Sequence, residues 1–405
     1  MGISGLLPLL KEITHPCHVS EYRGQRVAVD AYCWLHRGAY SCSAELCEGQ
    51  ASDRYIDYCM RLVEMLRHHG VVPVVVFDGG KLPMKGEEEG SRARGRKEFL
   101  AKAQAHAAAG NRVAALECYQ RAVDISPEVA LRFIQALKAA GVDFVVAPYE
   151  ADAQMAYLAL SGKIHAVITE DSDLLPYGCP RVLFKMDKAG NGQQVCLEDL
   201  ARNRDPSFAG FTHDMFLEMC VMSGCDFLRG LNGIGIKKAH AHIRRLKSFV
   251  RVCKSLRFSG VTVPRGYEAA FQRALWTFRH QRVYCAAVRG LVPLRPLPAG
   301  GLAACSQVAE AVPGLDEADL PFLGPLIEDG VARAVAAGEL NPITLQPYLH
   351  VAPPRVLRTL PLNCSAPVGL QSSHSKAKAK APGTSKPAPS SGIAAYFRLQ
   401  PEWPQ

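Results

Sequence analysis

The sequence predicts an α/β fold with a mostly parallel central sheet flanked by helices. Short β-branched runs at Arg26–Asp30 and at residues 71–78, 142–147 and 166–169 are separated by helix-length segments, which is the alternation that buried parallel strands show. With 405 residues and 48% hydrophobic content, the chain is long enough to bury a large core. These runs are therefore predicted to be the strands of one layered sheet.

Helices are predicted between the strands at residues 54–69 and 128–140 and at Ala151–Leu160. Residues 83–124 are rich in Ala, Arg, Lys, Glu and Gln, which favours a helical arch that is too polar for the core and stands over the sheet. Part of this stretch resembles one tetratricopeptide hairpin. No second copy follows at a similar period, and one such unit cannot bury its own face, so a repeat scaffold is disfavoured.

The composition excludes several classes of protein. A formal net charge of +9 indicates a polyanionic partner, either nucleic acid or an acidic membrane surface. Fourteen cysteines without Cys-x-x-Cys spacing indicate reduced thiols in a nuclear or cytosolic protein. The strongest apolar run, residues 71–77, is too short to span a bilayer, and Leu6 stands where a myristoylation signal needs Ser or Thr. We therefore expect a soluble protein without a membrane segment.

Acidic residues stand at or just after the end of each predicted strand. They are Asp30, Asp78, Glu150, Asp152, Asp171 and Asp173. Because ligands in such sheets bind at the carboxyl ends of the strands, we expect these side chains to gather at one edge. So many neighbouring carboxylates repel one another unless cations neutralise them. The pattern therefore predicts a site for divalent metal ions.

Carboxylate and water ligands suit Mg²⁺ or Mn²⁺. Two such ions about 3.5–4 Å apart activate a water molecule and stabilise the leaving oxygen of a phosphodiester. The acids thus predict hydrolysis of a nucleic-acid backbone. Two simpler interpretations stay open: the acids cap helices or face solvent, or they bind calcium without catalysis, although the sequence contains no EF-hand loop.

A basic region follows the acidic one. Between Arg229 and Tyr267 there are ten lysines and arginines and no aspartate or glutamate, arranged around the turn GIGIKK at residues 233–238. Glycines allow the backbone to approach a phosphate closely at a helix start, and the lysines add sequence-independent attraction. The region predicts binding to a duplex backbone, and a merely solvated basic face is the alternative.

Six motifs occur in the order and approximate spacing of a known superfamily: MGISGLL (1–7), VAVDAYCWLH (27–36), VFDG (76–79), APYEADAQ (147–154), TEDSDL (169–174) and SGCD (223–226). Through them the chain resembles the flap endonuclease, or XPG-type, superfamily of structure-selective 5′ nucleases over roughly residues 1–293. The resemblance implies a PIN-like nuclease core with a helical arch and a helix-two-turn-helix DNA-binding region.

The resemblance also implies roles for individual residues. Two magnesium ions, for which manganese may substitute, would be held by seven acids, the first four nearer one ion and the last three nearer the other: Asp30, Asp78, Glu150, Asp152, Asp171, Asp173 and Asp226. Lys85 and Arg92 on the arch would touch the scissile phosphate. Tyr32 and His36 would stack on bases at the DNA junction, with Arg96 as a further DNA contact. For His36, an ordinary histidine on a helix surface is the alternative.

In the helix-two-turn-helix region, the resemblance implies that Gly233, Gly235, Lys237 and Lys238 contact DNA. A potassium ion would bridge the backbone around Ile234, the Ser223 side chain and a phosphate. Gly230 stands where a related protein offers Ser, which implies weaker coordination of potassium. Gly86 and Gly90 interrupt the start of the arch helix, and since each costs about 1 kcal/mol against alanine, we expect this helix to order on DNA.

The chain divides into six predicted regions: 1–99 (N-terminal nuclease), 100–137 (arch continuation and connector), 138–225 (internal nuclease), 226–293 (helix-two-turn-helix), 294–351 (C-terminal extension) and 352–405 (disordered basic tail). The tail contains Lys376, Lys378, Lys380 and Lys386, which suit nuclear import, loose DNA contact or a solvated linker. Ile393, Tyr396 and Phe397 have the spacing of a sliding-clamp-binding peptide, with Ser390 in place of the usual Gln.

The predicted function is therefore that of a magnesium-dependent 5′→3′ exonuclease on double-stranded DNA, with 5′-flap endonuclease activity, acting as a monomer in nuclear DNA repair. Its partners would be duplexes with 5′ ends, nicks or flaps. Relatives carry longer C-terminal regions for mismatch-repair partners, so those partnerships stay open. A flap-specific endonuclease is the first alternative. A catalytically silent DNA-binding adaptor is the second, and it predicts a missing metal ligand, whereas all seven acids are present.

Overall fold

The computed structural model describes residues 2–298, 320–349 and 354. The strands are β1 (Thr14–His18), β2 (Arg26–Asp30), β3 (Val72–Phe77), β4 (Asp143–Val146), β5 (Ala166–Ile168), β6 (Arg181–Phe184), β7 (Asn191–Cys196), β8 (Arg282–Cys285) and β9 (Gly290–Pro293). The first seven strands form one sheet, and the last two form a separate antiparallel pair.

The helices lie before, between and after these strands. They are α1 (Leu6–Leu9), α2 (Ala31–Ala39), α3 (Ser43–Cys47), α4 (Arg54–His68), α5 (Gly86–Ala108), α6 (Arg112–Ala122), α7 (Pro127–Ala139), α8 (Ala151–Leu160), α9 (His213–Ser223), α10 (Ile236–Leu246), α11 (Phe249–Phe258), α12 (Tyr267–His280) and α13 (Asp329–Ala336). Short 3₁₀ turns include Pro83–Lys85, Ser172–Leu174 and Pro321–Leu323.

The seven-stranded sheet has the order β1-β7-β6-β5-β2-β3-β4. The four strands predicted from the sequence are neighbours, and all pairs among β5, β2, β3 and β4 are parallel. This confirms the predicted α/β class and places their carboxyl ends along one edge. Strands β1, β6 and β7 were not predicted. β1 and β7 are rich in polar residues and pair antiparallel at the far side of the sheet, so neither presents a continuous apolar run.

Alternate residues of the central strands supply two separate cores. Val27 and Val29 of β2 point to the face covered by α2, α4 and α7, whereas Ala28 points to the opposite face, covered by α8, α9, α10 and α12. Val75 and Val76 of β3 divide in the same way. Burial on both faces explains why these strands are nearly continuous apolar runs.

The arch is a hairpin of two helices, α5 and α6. Ala103 from α5 and Ala115 and Tyr119 from α6 form its small core, against Cys47 of α3. The expected interruption of the arch helix is wrong, because α5 begins at Gly86 and continues through Gly90. Glutamates 87–89 occupy its first turn, where negative charge interacts favourably with the helix dipole and offsets part of the cost of glycine.

A C-terminal segment, residues 320–349, packs back on the nuclease core. Leu320, Phe322 and Leu323 bury against Trp276 of α12 and contact Met84 at the foot of the arch. Asn341 donates a hydrogen bond of 3.0 Å to Glu128 of α7. The sequence predicts only a C-terminal extension of weak patterning here, because its apolar residues are scattered and their partners are distant in the chain.

All twelve cysteines in the described part of the chain are free thiols, as the sequence predicts. In the same part of the chain, no helix has the length and apolar character that a bilayer crossing requires.

The turn between β3 and the arch depends on Gly79. Its amide donates to the Tyr149 carbonyl, and a methyl group on Gly79 would overlap the Ala147 carbonyl oxygen and lie 2.6 Å from the Pro148 carbonyl oxygen. We predict that Gly79→Ala lowers the free energy of unfolding by about 1–3 kcal/mol, because overpacking forces the backbone to shift. Urea denaturation measures this change.

Gly95→Ala is the matched control. Gly95 lies inside α5 with nothing within 4 Å of the added methyl group, so alanine should be neutral or stabilising by up to about 1 kcal/mol. Equal unfolding free energies for Gly79→Ala and the wild-type protein would contradict the close approach of Gly79 to the carbonyl groups of Ala147 and Pro148.

Candidate functional site

Each acid predicted from the sequence lies at the carboxyl edge of the sheet. Asp30 ends β2 and Asp78 directly follows β3. Glu150 and Asp152 lie at the start of α8, and Asp171 and Asp173 lie in the turn after β5. Asp226, which the strand pattern missed and the resemblance supplied, follows α9. The residues Asp30, Glu150, Asp171 and Asp173 are each less than a tenth exposed.

Backbone donors fix several of these carboxylates. Asp30 Oδ1 accepts hydrogen bonds from the amides of Tyr32 at 2.9 Å and Cys33 at 3.2 Å, which caps α2. Asp78 Oδ1 accepts from the Ala151 amide at 2.8 Å and so holds the start of α8 from a neighbouring strand. Asp171 Oδ1 accepts from the Asp173 amide at 3.0 Å. The acids therefore cap helices and form one cluster at the same time.

The cluster is electrostatically strained. Burial, followed by the charge of Glu150, raises the pKa of Asp78 to about 7. Burial, followed by the charge of Asp171, raises the pKa values of both Asp152 and Asp173 well above their ordinary value. These raised pKa values mean that the acids favour the binding of either protons or other cations.

Two basic side chains from the foot of the arch enter the cluster. The Lys85 ammonium bonds Glu150 and lies 3.2 Å from Asp226 Oδ2. Arg92 Nη2 donates to the same Asp226 oxygen at 3.0 Å, while its Nε donates to Glu88 at 2.9 Å. Burial alone would lower the pKa of Lys85, but Glu150 and then Asp226 hold it well above the ordinary value. Lys85 therefore stays charged among the acids.

The predicted stacking residues lie on α2 beside the cluster. The rings of Tyr32 and His36 are partly buried, with centroids 6.5 Å apart and planes inclined by 52°. Burial lowers the pKa of His36, so its ring is neutral at physiological pH. Arg96 on α5 lies farther along the arch, where its Nε is 3.4 Å from Asp124. The structure thus places an amphipathic ring pair next to the acids.

The turn predicted to bind a duplex lies between α9 and α10. Gly233 has a φ of +77°, a conformation that suits glycine. Gly235 caps α10, and Lys237 and Lys238 are exposed in its first turn, whereas Ile234 is buried.

Ser223 ends α9, and its hydroxyl donates to the Cys220 carbonyl at 2.8 Å. Gly230, the position that departs from the family pattern, lies against this residue: an added methyl group would be 2.6 Å from the Ser223 carbonyl oxygen. A side chain at position 230 does not fit without movement, which explains the glycine.

Three contacts in the site were not found by sequence reasoning. The Thr169 hydroxyl and the Cys33 thiol both donate to Asp30 Oδ2. Gly2 lies so close to Asp171 that any side chain at that position would collide with the carboxylate. All three residues belong to the quoted motifs, but buried contacts between distant motifs leave no periodic signal. The proposed clamp peptide, Ile393, Tyr396 and Phe397, lies outside the described residues.

The fold and the acid cluster beneath a basic arch define an α/β protein with an acidic site at the carboxyl edge of its sheet. Two models of the XPG family match the chain: residues 1–99 match the XPG N-terminal domain and residues 141–226 match the XPG I-region.

The chain is similar to two plant proteins named Exonuclease 1. It is 52% identical to that of Arabidopsis thaliana, covering 86% of this chain and 45% of the relative, and 51% identical to that of Oryza sativa subsp. japonica, covering 86% and 40%. The chain thus spans less than half the length of these relatives. A solved catalytic core of Rad2 in complex with DNA substrate shares the fold, with a TM-score of 0.52 at 16% identity over 80% of this chain and 98% of that one.

Similarity to the XPG family implies a metal ion, and the donor set can be tested for it. No three of the described His, Cys, Asp and Glu side chains surround one point as the ligands of an ion do. The Lys85 ammonium instead takes the place of a cation between Glu150 and Asp226, and Asp173 Oδ1 is buried with no hydrogen-bond partner within the described structure. An all-oxygen, acid-rich set that already binds a cation fits Mg²⁺.

We predict that the metal-free protein loses stability relative to Asp78→Asn as the pH rises from about 4 to about 7. The pKa of Asp78 is raised in the folded state, so its contribution to stability is present below the ordinary carboxyl pKa and is lost as the pH rises through about 7. Asparagine imitates the protonated acid at every pH. Urea denaturation in EDTA at pH 5 and pH 8 measures the difference, and parallel pH profiles would contradict it.

Proposed function

We propose that this chain is a magnesium-dependent nuclease that hydrolyses double-stranded DNA in the 5′→3′ direction from 5′ ends and nicks, and that also cuts 5′ flaps. The observation that carries the proposal is the line of seven acids along the carboxyl edge of parallel strands, with Lys85 and Arg92 above them. The names of the relatives, Exonuclease 1 and the Rad2 core with its DNA substrate, support this reaction and substrate class.

The chemistry divides between the acids and the arch. Asp30, Asp78, Glu150 and Asp152 would hold one magnesium ion, and Asp171, Asp173 and Asp226 a second. When bound, the ions supply an activated water molecule and neutralise the leaving oxygen of the phosphodiester. Lys85 and Arg92 are catalytic in this proposal, because they present positive charge where negative charge develops on the phosphate.

Other residues position the DNA. Tyr32 and His36 stack against a base next to the cut, since a neutral aromatic pair on one helix face suits a base rather than a phosphate. Arg96 contacts the backbone beside the arch. Gly233, Gly235, Lys237 and Lys238 hold the duplex. The backbone at Ile234 and the Ser223 side chain would hold a potassium ion, which would supply positive charge to the phosphate contact.

In the cell, the proposed setting is nuclear DNA repair, including mismatch repair and the resection of ends in recombination. The protein would act as a monomer. The tail would add a sliding-clamp partner through Ile393, Tyr396 and Phe397.

The test of the function uses the purified chain with Mg²⁺ on blunt, recessed and 5′-flap duplexes, each labelled at one 5′ end, with Asp173→Ala as the control. We expect short products from blunt and recessed ends that disappear in the control. Dominant flap-length products would favour a flap-specific endonuclease instead. Tight binding without Mg²⁺-dependent cleavage of any form would support a DNA-binding adaptor and reject the nuclease.

The charge of Lys85 should be needed for cleavage. We expect Lys85→Met to lower the single-turnover cleavage rate by about 10²- to 10³-fold, because it removes a preorganised charge at the phosphate. Lys81→Met is the matched control, since Lys81 is exposed just before the arch. Quench-flow kinetics at saturating Mg²⁺ compare the two, and equal rates for both variants would exclude Lys85 from catalysis.

A further inference from the structure

A basic cleft lies on the C-terminal half of α10, beyond the turn at residues 233–238. It has a volume of about 620 Å³ and is lined by Arg204, Asp205, Ser207, His240, Arg244 and Arg245, among others. The lining therefore contains three exposed arginines and one acid, Asp205. In the described part of the chain, none of these arginines forms a salt bridge.

The opposite wall of the cleft, residues 203–207, is firmly held. Asn203 is fully buried, and its side-chain amide donates to the Leu9 carbonyl at 3.3 Å and to the Pro206 carbonyl at 2.9 Å. The amides of Arg204 and Asp205 both donate to Glu12. These contacts fix the backbone that carries Arg204 opposite α10.

The floor of the cleft joins this wall to α10. His240 Nε2 donates to the Ser207 carbonyl at 3.0 Å, and its ring stacks on Phe211 with centroids 4.9 Å apart. Arg244 Nη1 donates to the same carbonyl at 3.3 Å. The cleft is therefore a preformed surface that leaves Arg204 and Arg245 free to meet an anion.

The cleft continues the proposed DNA path. Lys237, Ala241 and Arg245 follow one another at intervals of four residues and so lie on one face of α10, about 12 Å from first to last. The N-terminal segment brings the start of α10 close to the acids. In this segment Gly5 lies against Ile236 of α10, and Gly2 lies against Asp171. The order along this surface is acids, glycine turn, basic cleft.

We propose that this cleft binds the phosphate backbone of duplex DNA at a second position, farther from the cut than the turn at residues 233–238. A duplex backbone is the occupant because the cleft lies in line with that turn and presents arginines without apolar anchors. This inference rests on the proposed function, since the path starts at the proposed cleavage site.

The test measures duplex binding in EDTA as a function of salt concentration. Arg204→Ala/Arg245→Ala should lower the slope of log K against log salt by roughly 2, since each phosphate contact contributes about 0.9. Neither guanidinium forms a described hydrogen bond, so folding should be preserved. The control is Arg23→Ala/Arg61→Ala, on exposed residues before β2 and on α4, which should keep the wild-type slope.

A wild-type slope in the cleft variant would overturn the second contact, as would an equal loss in the control. Failure of the nuclease assay has a different signature. In that case the wild-type protein binds duplex without cutting it, and the reduced slope of the cleft variant would still support the cleft.

Hydrogen bonds connect the two groups of acids. Asp171 N donates to Thr169 Oγ1 at 3.0 Å, and the same hydroxyl donates to Asp30 Oδ2 at 2.9 Å. Glu170 N donates to Cys33 Sγ at 3.4 Å, and that thiol donates to Asp30 Oδ2 at 2.8 Å. Two parallel relays therefore run from the turn after β5 to Asp30.

With the two capping amides on its Oδ1, Asp30 accepts four hydrogen bonds, two on each oxygen. The segment that leads to Asp171 and Asp173 supplies one of these donors, the Thr169 hydroxyl, and Glu170 in the same segment donates to the Cys33 thiol, so this segment helps to orient Asp30. Thr169 is 2% exposed, too buried to touch a substrate, so any influence on the site passes through the acids to which it is hydrogen-bonded.

We infer that Thr169 is a positioning residue that couples the two groups of acids, and that its hydroxyl is needed for the binding of divalent metal ions. Outer hydrogen-bond partners of metal ligands typically change affinity or activity by about 10- to 100-fold. The loss on Thr169→Val should therefore lie in this range, whereas Thr169→Ser, which keeps the hydroxyl, should stay near the wild-type value.

The measurement is the rise in melting temperature with Mg²⁺ concentration, which reports binding to the folded protein without any need for cleavage. Thr277→Val is the matched control, because Thr277 is fully buried and donates only to the Arg273 carbonyl of its own helix. It should lower stability without moving the Mg²⁺ midpoint.

An unchanged Mg²⁺ midpoint in Thr169→Val would overturn the inference, and so would an equal shift in Thr169→Ser, which would assign the effect to packing of the methyl group. If the wild-type protein binds Mg²⁺ but cleaves no DNA, the proposed function fails while the role of Thr169 remains measurable.

Discussion

Mutual repulsion among buried carboxylates is the constraint on which the rest of this structure depends. Seven acids lie along one sheet edge, and the pKa values of Asp78, Asp152 and Asp173 are raised because burial and neighbouring charges oppose their ionisation. Lys85 and Arg92 reduce this repulsion. The arch that carries them is therefore part of the acidic site and not an addition to it.

The same carboxylates also build secondary structure. Asp30 caps α2 and Asp78 holds the start of α8. The same strand-end acids can therefore be helix caps and metal ligands at once. A capping acid is held in place by backbone amides, which makes its oxygen positions as fixed as the sheet. Preorganisation of this kind is what a metal site requires of its ligands.

Neighbouring elements extend this organisation away from the acids. The N-terminal segment connects the acids to α10 through Gly2 and Gly5, and the basic surface of α10 continues to the cleft opposite Arg204. On another side, the C-terminal segment packs Phe322 and Leu323 close to Met84, the residue before Lys85. The foot of the arch is thus supported by a segment more than 200 positions later in the chain.

The sequence by itself determined the α/β class, the four central strands, the acids at their ends and the basic turn before α10. These features have local causes: a strand buried on both faces needs a continuous apolar run, and a parallel sheet puts the residues that follow its strands on one edge. Only the tertiary structure decided the polar edge strands β1 and β7, the uninterrupted start of α5, the pairing of Lys85 with Glu150 and the relay through Thr169. Each of these depends on partners far apart in the chain, whose contacts follow no period along the sequence, so local pattern and charge could not specify them.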